Sequence, residues 1–351
     1  MNILLRLYNR SFILYYILSL SNFFKLLNNY SNKSKNIILL PCKNSLDILK
    51  YILVGDSIIH DFAIINSLIL NKKDYKFILL NNATNIKCSN IYYTPEVSFN
   101  TLKLNDHGAI LRLLIDELEN NKNFLFPSAN EVKFWENKEF MHTKFIENEI
   151  PHPRTIIIDL SKDYSSPPLP FPFLVKRLHS ASSLGVYKIN NLVEYLKLIE
   201  FLIESGDRKL LVQILLNMRK DIRVIVINNK IFYHYWRINT SNEWVPTSTR
   251  HGSLVDFNNF PNKWNDLIIE QVKKLKLSTC GIDIAWENDS LENMPMFLEL
   301  SPSYQPNPSF TEKYKNQPYY LYKRSYIGKS SYLFNYINLI FKIKIELFNN
   351  E

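Results

Sequence analysis

Glycine is scarce, with seven residues in 351, and no strand-like run of the chain is followed by a glycine-rich turn. A dinucleotide site of the Gly-x-Gly-x-x-Gly kind is therefore not supported. Cysteine is scarcer still. Cys42, Cys88 and Cys280 are odd in number, far apart and without Cys-x-x-Cys or Cys/His spacing. That pattern excludes a disulfide scaffold and reads as ordinary buried thiols of a reducing compartment. There is no block of five consecutive basic residues, although 42 Lys and Arg outnumber 33 Asp and Glu for a net charge of +9. With lysine spread along the whole chain, the excess marks no nucleic-acid arm, and no nucleic-acid partner is expected. Nor does any apolar run reach the roughly eighteen residues of a spanning helix. The longest, residues 12–27, follows Arg6 and Arg10 and is interrupted by Asn22 and Lys25. We read it as an amphipathic helix on the protein or a membrane surface, in preference to an export signal cleaved near Ser19-Leu20-Ser21. A cytoplasmic chain with peripheral membrane contact through residues 12–27 is the expectation.

What is present is the composition of a folded protein, 46% hydrophobic and 21% charged. Short apolar runs at 36–41, 77–80, 91–93 and 124–127 read as strands, and 45–53, 61–70 and 111–118 read as helices. Such alternation implies an open α/β module with a parallel sheet. Residues 131–148 read as one helix, ended by Pro151 and Pro153. Strands then dominate, at 155–158, 173–176, 185–189, 210–215, 222–227 and 230–235, with a helix at 192–203. Asn228-Asn229 suits a hairpin turn, because Asn tolerates positive φ. Residues 332–348 read as a terminal helix with one apolar face.

The second half carries the chemistry. Lys176 ends an apolar strand and is followed by a loop of small residues, 179–185, whose hydroxyls and N–H groups suit phosphate. Asp221 and Arg223 are two apart on one strand and so share a face, and Arg237 adds a guanidinium nearby. A structural salt bridge explains that pair equally well. Asp283 and Glu299 are lone carboxylates inside apolar runs, and burying either demands a cation, an arginine or lysine or else a metal. No Ser/His/Asp or Cys/His nucleophile set accompanies them.

In order, from about residue 130 to 308, these motifs resemble the ATP-grasp superfamily, above all its RimK-like and glutathione-synthetase-like carboxylate–amine ligases. Asn137-Lys138 and then Ile150-Pro151-His152-Pro153-Arg154-Thr155 are similar to the family's lysine helix and the start of its lid. The resemblance implies two phosphate-binding lysines, Lys138 and Lys176, and a mobile lid loop with Ser182, Ser183 and Gly185. It implies an adenine hinge from Gln213 to Leu216, a ribose acid at Asp221, and arginines Arg223 and Arg237 for transferring phosphate and acyl phosphate. It places Mg²⁺ (or Mn²⁺) ligands at Asp283, Glu299 and Ser301. The chain departs from the family at Asn137 (usually Asp), Ile214 (a hinge acid), Ser301 (Asn), and Ser248 with His251-Gly252, near a missing Asn.

The implied fold is α/β: an apolar N-terminal helix in 1–35, an open parallel α/β module in 36–127, a two-subdomain ATP-grasp domain in 128–310 with its lid at about 150–210, and a basic, aromatic helical extension in 311–351. The implied reaction uses ATP to activate a carboxylate as an acyl phosphate for attack by an amine, with small-molecule or peptide substrates and an oligomer allowed. A catalytically silent ATP-binding or scaffold protein stays open beside it, as does a membrane-associated one.

Overall fold

The computed structural model describes residues 23–42, 57–95, 108–162, 164–180, 185–249, 251–304 and 326–348, with 44, 47, 48, 51 and 106. Residues 12–22, most of the helix expected at 45–53, and Ser182 and Ser183 lie outside them. The elements in chain order are α1 (Phe23–Asn28), β1 (Asn36–Leu40), α2 (Ile58–Leu70), β2 (Lys76–Leu79), β3 (Asn90–Tyr92), α3 (Ala109–Asn120), β4 (Phe124–Phe126), α4 (Ala129–Phe134) and α5 (Lys138–Glu147). Then come β5 (Thr155–Asp159), β6 (Phe173–Arg177), β7 (Val186–Ile189), α6 (Leu192–Glu204), β8 (Lys209–Ile214), β9 (Lys220–Ile227) and β10 (Lys230–Ile238). The last are β11 (Leu254–Asp256), α7 (Asn265–Lys274), β12 (Thr279–Ala285), β13 (Met296–Ser301) and α8 (Tyr326–Phe348).

The chain divides into two units, the first made of residues 1–102, 109–132 and 320–351 and the second of 103–108 and 133–319. In the first, β1 pairs in parallel with β2 and β3, and β3 with β4, giving the order β2-β1-β3-β4. Every residue of β1 is buried, as a central parallel strand covered on both faces requires. Helix α8 packs on α2 and sends Phe348 against Tyr92 and Phe126, at ring separations of 5.3 and 5.1 Å.

The second unit holds two antiparallel sheets, β11-β10-β9-β12-β13 and β5-β8-β6-β7. Alternation along each strand decides which face is dry. In the larger sheet Ile222, Val224, Val226, Trp236, Ile282 and Ile284 form a core with Met141 and Phe145 of α5 and Ile268 and Val272 of α7. The intervening residues, Asp221, Arg223, Arg237 and Asp283, thereby fall on the opposite face. In the smaller sheet Phe173, Val175, Leu210 and Val212 pack on Tyr195, Ile199 and Leu202 of α6, leaving Leu174, Lys176 and Gln213 on the other face.

Three sequence expectations change. The single helix at 131–148 is two helices, because Glu136 takes a positive φ of 47° and Asn137 caps α5, its side chain accepting from Phe140 N at 3.2 Å. Cys88 is exposed rather than buried. Helix α7 and strand β11 were not expected at all. The hairpin between β9 and β10 does turn on Asn228 and Asn229, at φ 46° and 60°. No helix among the described residues is long and apolar enough to cross a membrane.

Candidate functional site: a charged cleft between the two sheets of the second unit

The polar face of the larger sheet and the polar face of the smaller one line a cleft with about 870 Å³ of open space. Eight of the expected residues meet there: Lys138, Lys176, Gln213, Leu216, Asp221, Arg237, Asp283 and Glu299.

Cross-strand register brings the charges together. Tyr235, Arg223 and Asp283 stand opposite one another on β10, β9 and β12, and Asp283 stands opposite Glu299 on β13. Two positions along, Asp221 faces Arg237. A register irregularity after Asp283 matters here: Phe297 and Leu300 both lie in the core, and the extra residue between them turns Leu298 and Glu299 together into the cleft.

The result is a chain of ion pairs. Arg237 donates to Asp221 through Nε at 2.8 Å and Nη2 at 2.6 Å, and its Nη2 lies 2.8 Å from Asp283 Oδ2. Arg223 donates to both oxygens of Asp283, through Nη2 at 2.8 Å and through Nε. Burial alone would raise the Asp283 carboxyl, but Arg223 and then Arg237 hold it well below the usual carboxylate range. Thr247 Oγ1 completes the shell, donating to Asp221 Oδ2 at 2.8 Å.

The two lysines enter from the other side. Lys138 is the first residue of α5, 6% exposed, and donates to the carbonyl and hydroxyl of Ser180; Glu299 is 3.6 Å from its ammonium. Lys176 donates to Gln213 Oε1 at 2.6 Å, and Gln213 Nε2 donates to Thr155 Oγ1 at 2.9 Å. Burial pushes the Lys176 ammonium down to about 8 against the pull of Glu299, and Lys138 adds to the fall. His142, behind them, is 1% exposed with neither ring nitrogen bonded among the described residues, and burial first, then Lys176, keeps it neutral.

Five of the expected residues have placements that bear on their implied roles. Gln213 sits in the central strand of three, registered with Thr155 and Leu174, so its main chain serves the sheet and its side chain serves Lys176. The free main-chain edge lies beyond it, at Leu215 and Leu216, which make no backbone hydrogen bond among the described residues. Asp221, the implied ribose acid, has both oxygens engaged by Arg237 and Thr247 and is 2% exposed. Arg223 stands behind Asp283 and Ser301 off the cleft, its hydroxyl donating to Ser303 O at 2.6 Å. Gly185 is outside the lining as well, and its φ of 69°, with Arg177 side-chain atoms 2.8 Å from where a Cβ would stand, reserves the position for glycine.

Sequence reasoning missed the loop Trp244, Val245, Pro246 and Thr247, which lines the cleft with Leu174, Val186, Met218 and Leu298. Its one polar signal was Thr247, and nothing local marks that residue as the partner of Asp221.

Two antiparallel sheets closing on a charged cleft are the architecture of an ATP-grasp domain, and residues 136–313, half of the chain, match the model of the RimK-like ATP-grasp domain. The chain belongs to that family. Among solved structures it is similar to D-alanine–D-alanine ligase from Bacillus anthracis complexed with ATP, at 13% identity over 90% of this chain and 98% of that one, with a TM-score of 0.54. It is similar also to the D-cycloserine synthetase DcsG, at 10% identity over 86% of this chain and 99% of that one, with a TM-score of 0.53. At such identities the likeness establishes the fold. No curated protein matches the chain.

Proposed function

We propose that the chain is an ATP- and Mg²⁺-dependent ligase that activates a substrate carboxylate as an acyl phosphate and joins it to an amine, releasing ADP and phosphate. One observation carries the reading: Lys176, partly buried in the cleft beside Lys138, has a single hydrogen-bond acceptor among the described residues, Gln213 Oε1. An ammonium with donors to spare and a pKa depressed by burial is a site prepared for an anion.

The donor set fits the magnesium nucleotide. Lys138, Lys176 and Arg237 balance Asp221, Asp283 and Glu299 in the lining, Arg223 behind Asp283 adds one positive charge, and Leu174, Val186, Leu215, Leu216, Met218 and Leu298 offer an apolar slot for a base. Glu299, open to the cleft, would supply a hard oxygen to Mg²⁺ directly, and Asp283, in register with it, would do so by exchanging one of the arginine contacts that now hold both its oxygens. When bound, the nucleotide supplies the phosphoryl group and the metal neutralises its charge. The protein's own part is positional and electrostatic. Lys138 and Lys176 hold phosphate, Arg237 meets the charge that develops on the transferring group, and Arg223 keeps Asp283 ionised and aimed. The substrates we propose are a small-molecule or peptide carboxylate and an amine.

Incubation with Mg-ATP, candidate acids and hydroxylamine tests the reaction. A hydroxamate formed with ADP supports it, and AMP with pyrophosphate would replace it by adenylation. A second reading is favoured by Ser301, whose hydroxyl is committed to Ser303 rather than to the cleft. In that reading the protein binds ATP without turnover, and absence of phosphate release alongside tight ATP binding would establish it.

Lys176→Ala is expected to weaken ATP binding by about 1.5–3 kcal/mol, the worth of a hydrogen bond to a charged group. Calorimetry giving equal affinities would remove Lys176 from the site. The same residue sets a pH dependence. The ammonium is the binding form and is lost as pH rises through about 8, so ATP affinity should be flat below that value and fall above it, approaching about tenfold per pH unit. Lys176→Arg keeps its charge throughout and should abolish the inflection. An inflection that persists in the arginine variant would assign the titration to another group.

A further inference from the structure

The first unit carries a surface that the ligase reading does not use. Helix α1 is tied to the start of β2 by hydrogen bonds: Tyr75 Oη donates to Leu26 O at 2.9 Å, Tyr75 N to Asn29 O at 3.0 Å, and Ser31 N to Tyr75 O at 2.9 Å. Leu26 is buried by this attachment, and Phe24 and Leu27, on the other side of the helix, are 74% and 58% exposed. Tyr30 continues the apolar surface onto the sheet, its ring stacked on that of Phe77 at 6.0 Å and 26°. Phe77 is itself 39% exposed on β2, the edge strand of the sheet.

Charge distinguishes this surface from the exposed apolar positions of α3 and α6. Ile110 and Leu113 on α3 share their helix with Asp116, Glu117 and Glu119, and Leu192, Val193 and Phe201 on α6 share theirs with Glu194, Glu200 and Glu204. Around α1 and β2 the charges have the opposite sign. Residues 23–40 and 70–77 hold Lys25, Lys33, Lys35, Lys72, Lys73 and Lys76, against Asp74 as the one acid, itself accepting from Ser34 Oγ at 3.0 Å. In sequence the surface is continuous with the apolar run that begins at Phe12, preceded by Arg6 and Arg10.

We propose that the face formed by Phe24, Leu27, Tyr30 and Phe77 docks on an anionic phospholipid bilayer, the aromatic and leucine side chains entering the headgroup boundary while the lysines meet lipid phosphate and carboxylate. Large apolar residues set in a field of lysines are what such a surface selects, the apolar part supplying burial and each nearby lysine adding attraction that salt screens. A protein partner would more readily need paired charges of both signs at the rim.

Sedimentation of the full chain with vesicles of phosphatidylcholine, alone or mixed with phosphatidylserine, tests the assignment. The protein should pellet with the mixed vesicles, be released by salt, and remain in solution with phosphatidylcholine alone. Two variants locate the surface: Leu27→Ser with Phe77→Ser, and Lys25→Glu with Lys72→Glu and Lys76→Glu. Each should lower partitioning at least tenfold while leaving the circular dichroism spectrum and ATP affinity unchanged. Wild-type partitioning in both variants would overturn the assignment and leave residues 12–22 as the sole membrane contact. So would failure of the wild type to pellet with either vesicle, or a concentration-dependent dimer that the serine variant abolishes, which would make the face a contact between copies.

Discussion

Arg237→Met is expected to destabilise the protein by about 3–5 kcal/mol, the cost of removing one partner from a buried ion pair. The size follows from what the side chain holds. Arg237 donates twice to Asp221 and lies 2.8 Å from Asp283, and the three are 9%, 2% and 6% exposed. Asp283 would keep Arg223, but Asp221 would keep only the Thr247 hydroxyl, too little to solvate a buried carboxylate. Urea unfolding of the variant measures the loss. The second variant Asp221→Leu, placed on top of Arg237→Met, distinguishes the cause. Replacing both charges should restore most of the stability, because the stranded anion and not the lost attraction is what costs. A double variant as unstable as the single one would show that the strands, rather than the charges, depend on Arg237. Neither variant should turn over substrate.

Glu299→Gln should do the reverse, abolishing chemistry and sparing the fold. Its side chain is 45% exposed and its one ion pair, to Lys138, spans 3.6 Å, so its loss should move the unfolding midpoint little. In the proposed reaction it is one of two carboxylates for the metal, and neutralising it should lower turnover by about a hundredfold or more. Melting with and without Mg-ATP adds a reading independent of turnover: the nucleotide should raise the midpoint of the wild type and much less that of the variant. Ser301→Asn belongs to the same experiment and should tighten Mg²⁺ binding, since an amide oxygen reaches where the hydroxyl, committed to Ser303, does not. Wild-type turnover and full Mg-ATP stabilisation in Glu299→Gln would sink both the metal site and the ligase mechanism.

The sequence carried this far because the strands of the second unit alternate cleanly. Ile222, Val224 and Val226 against Asp221 and Arg223 declare a dry face and a wet one, and the same period places Lys176 and Gln213 opposite Phe173 and Val175. The ordered lysines, arginines and acids then identified the family, and the parallel sheet of the first unit could be read from its apolar runs. What stayed hidden was set by distant contacts. Nothing in Phe297-Leu298-Glu299-Leu300 announces the irregularity that brings Glu299 beside Asp283, because strict alternation would leave Phe297 and Glu299 on one face. The partner of Asp221 in the loop 244–247 is likewise a tertiary fact. The break at Glu136 is legible in principle in Asn137, a helix-capping residue type standing where the family has an acid. Helix α7 was legible too, since Ile268, Val272 and Leu275, spaced four and three residues apart, form one buried apolar stripe.

The first unit is assembled from both ends of the chain, and this fixes an order of events during synthesis. Its cover is incomplete without α8, whose Ile337, Ile340, Phe341, Ile343, Leu347 and Phe348 are buried. Those residues leave the ribosome after every strand of the second unit. The unit begun first is therefore finished last, and until then its parallel sheet must wait with apolar surface uncovered, in the state most exposed to aggregation and to chaperones. A frameshift or stop codon within α8 would leave the second unit intact and the first unable to close.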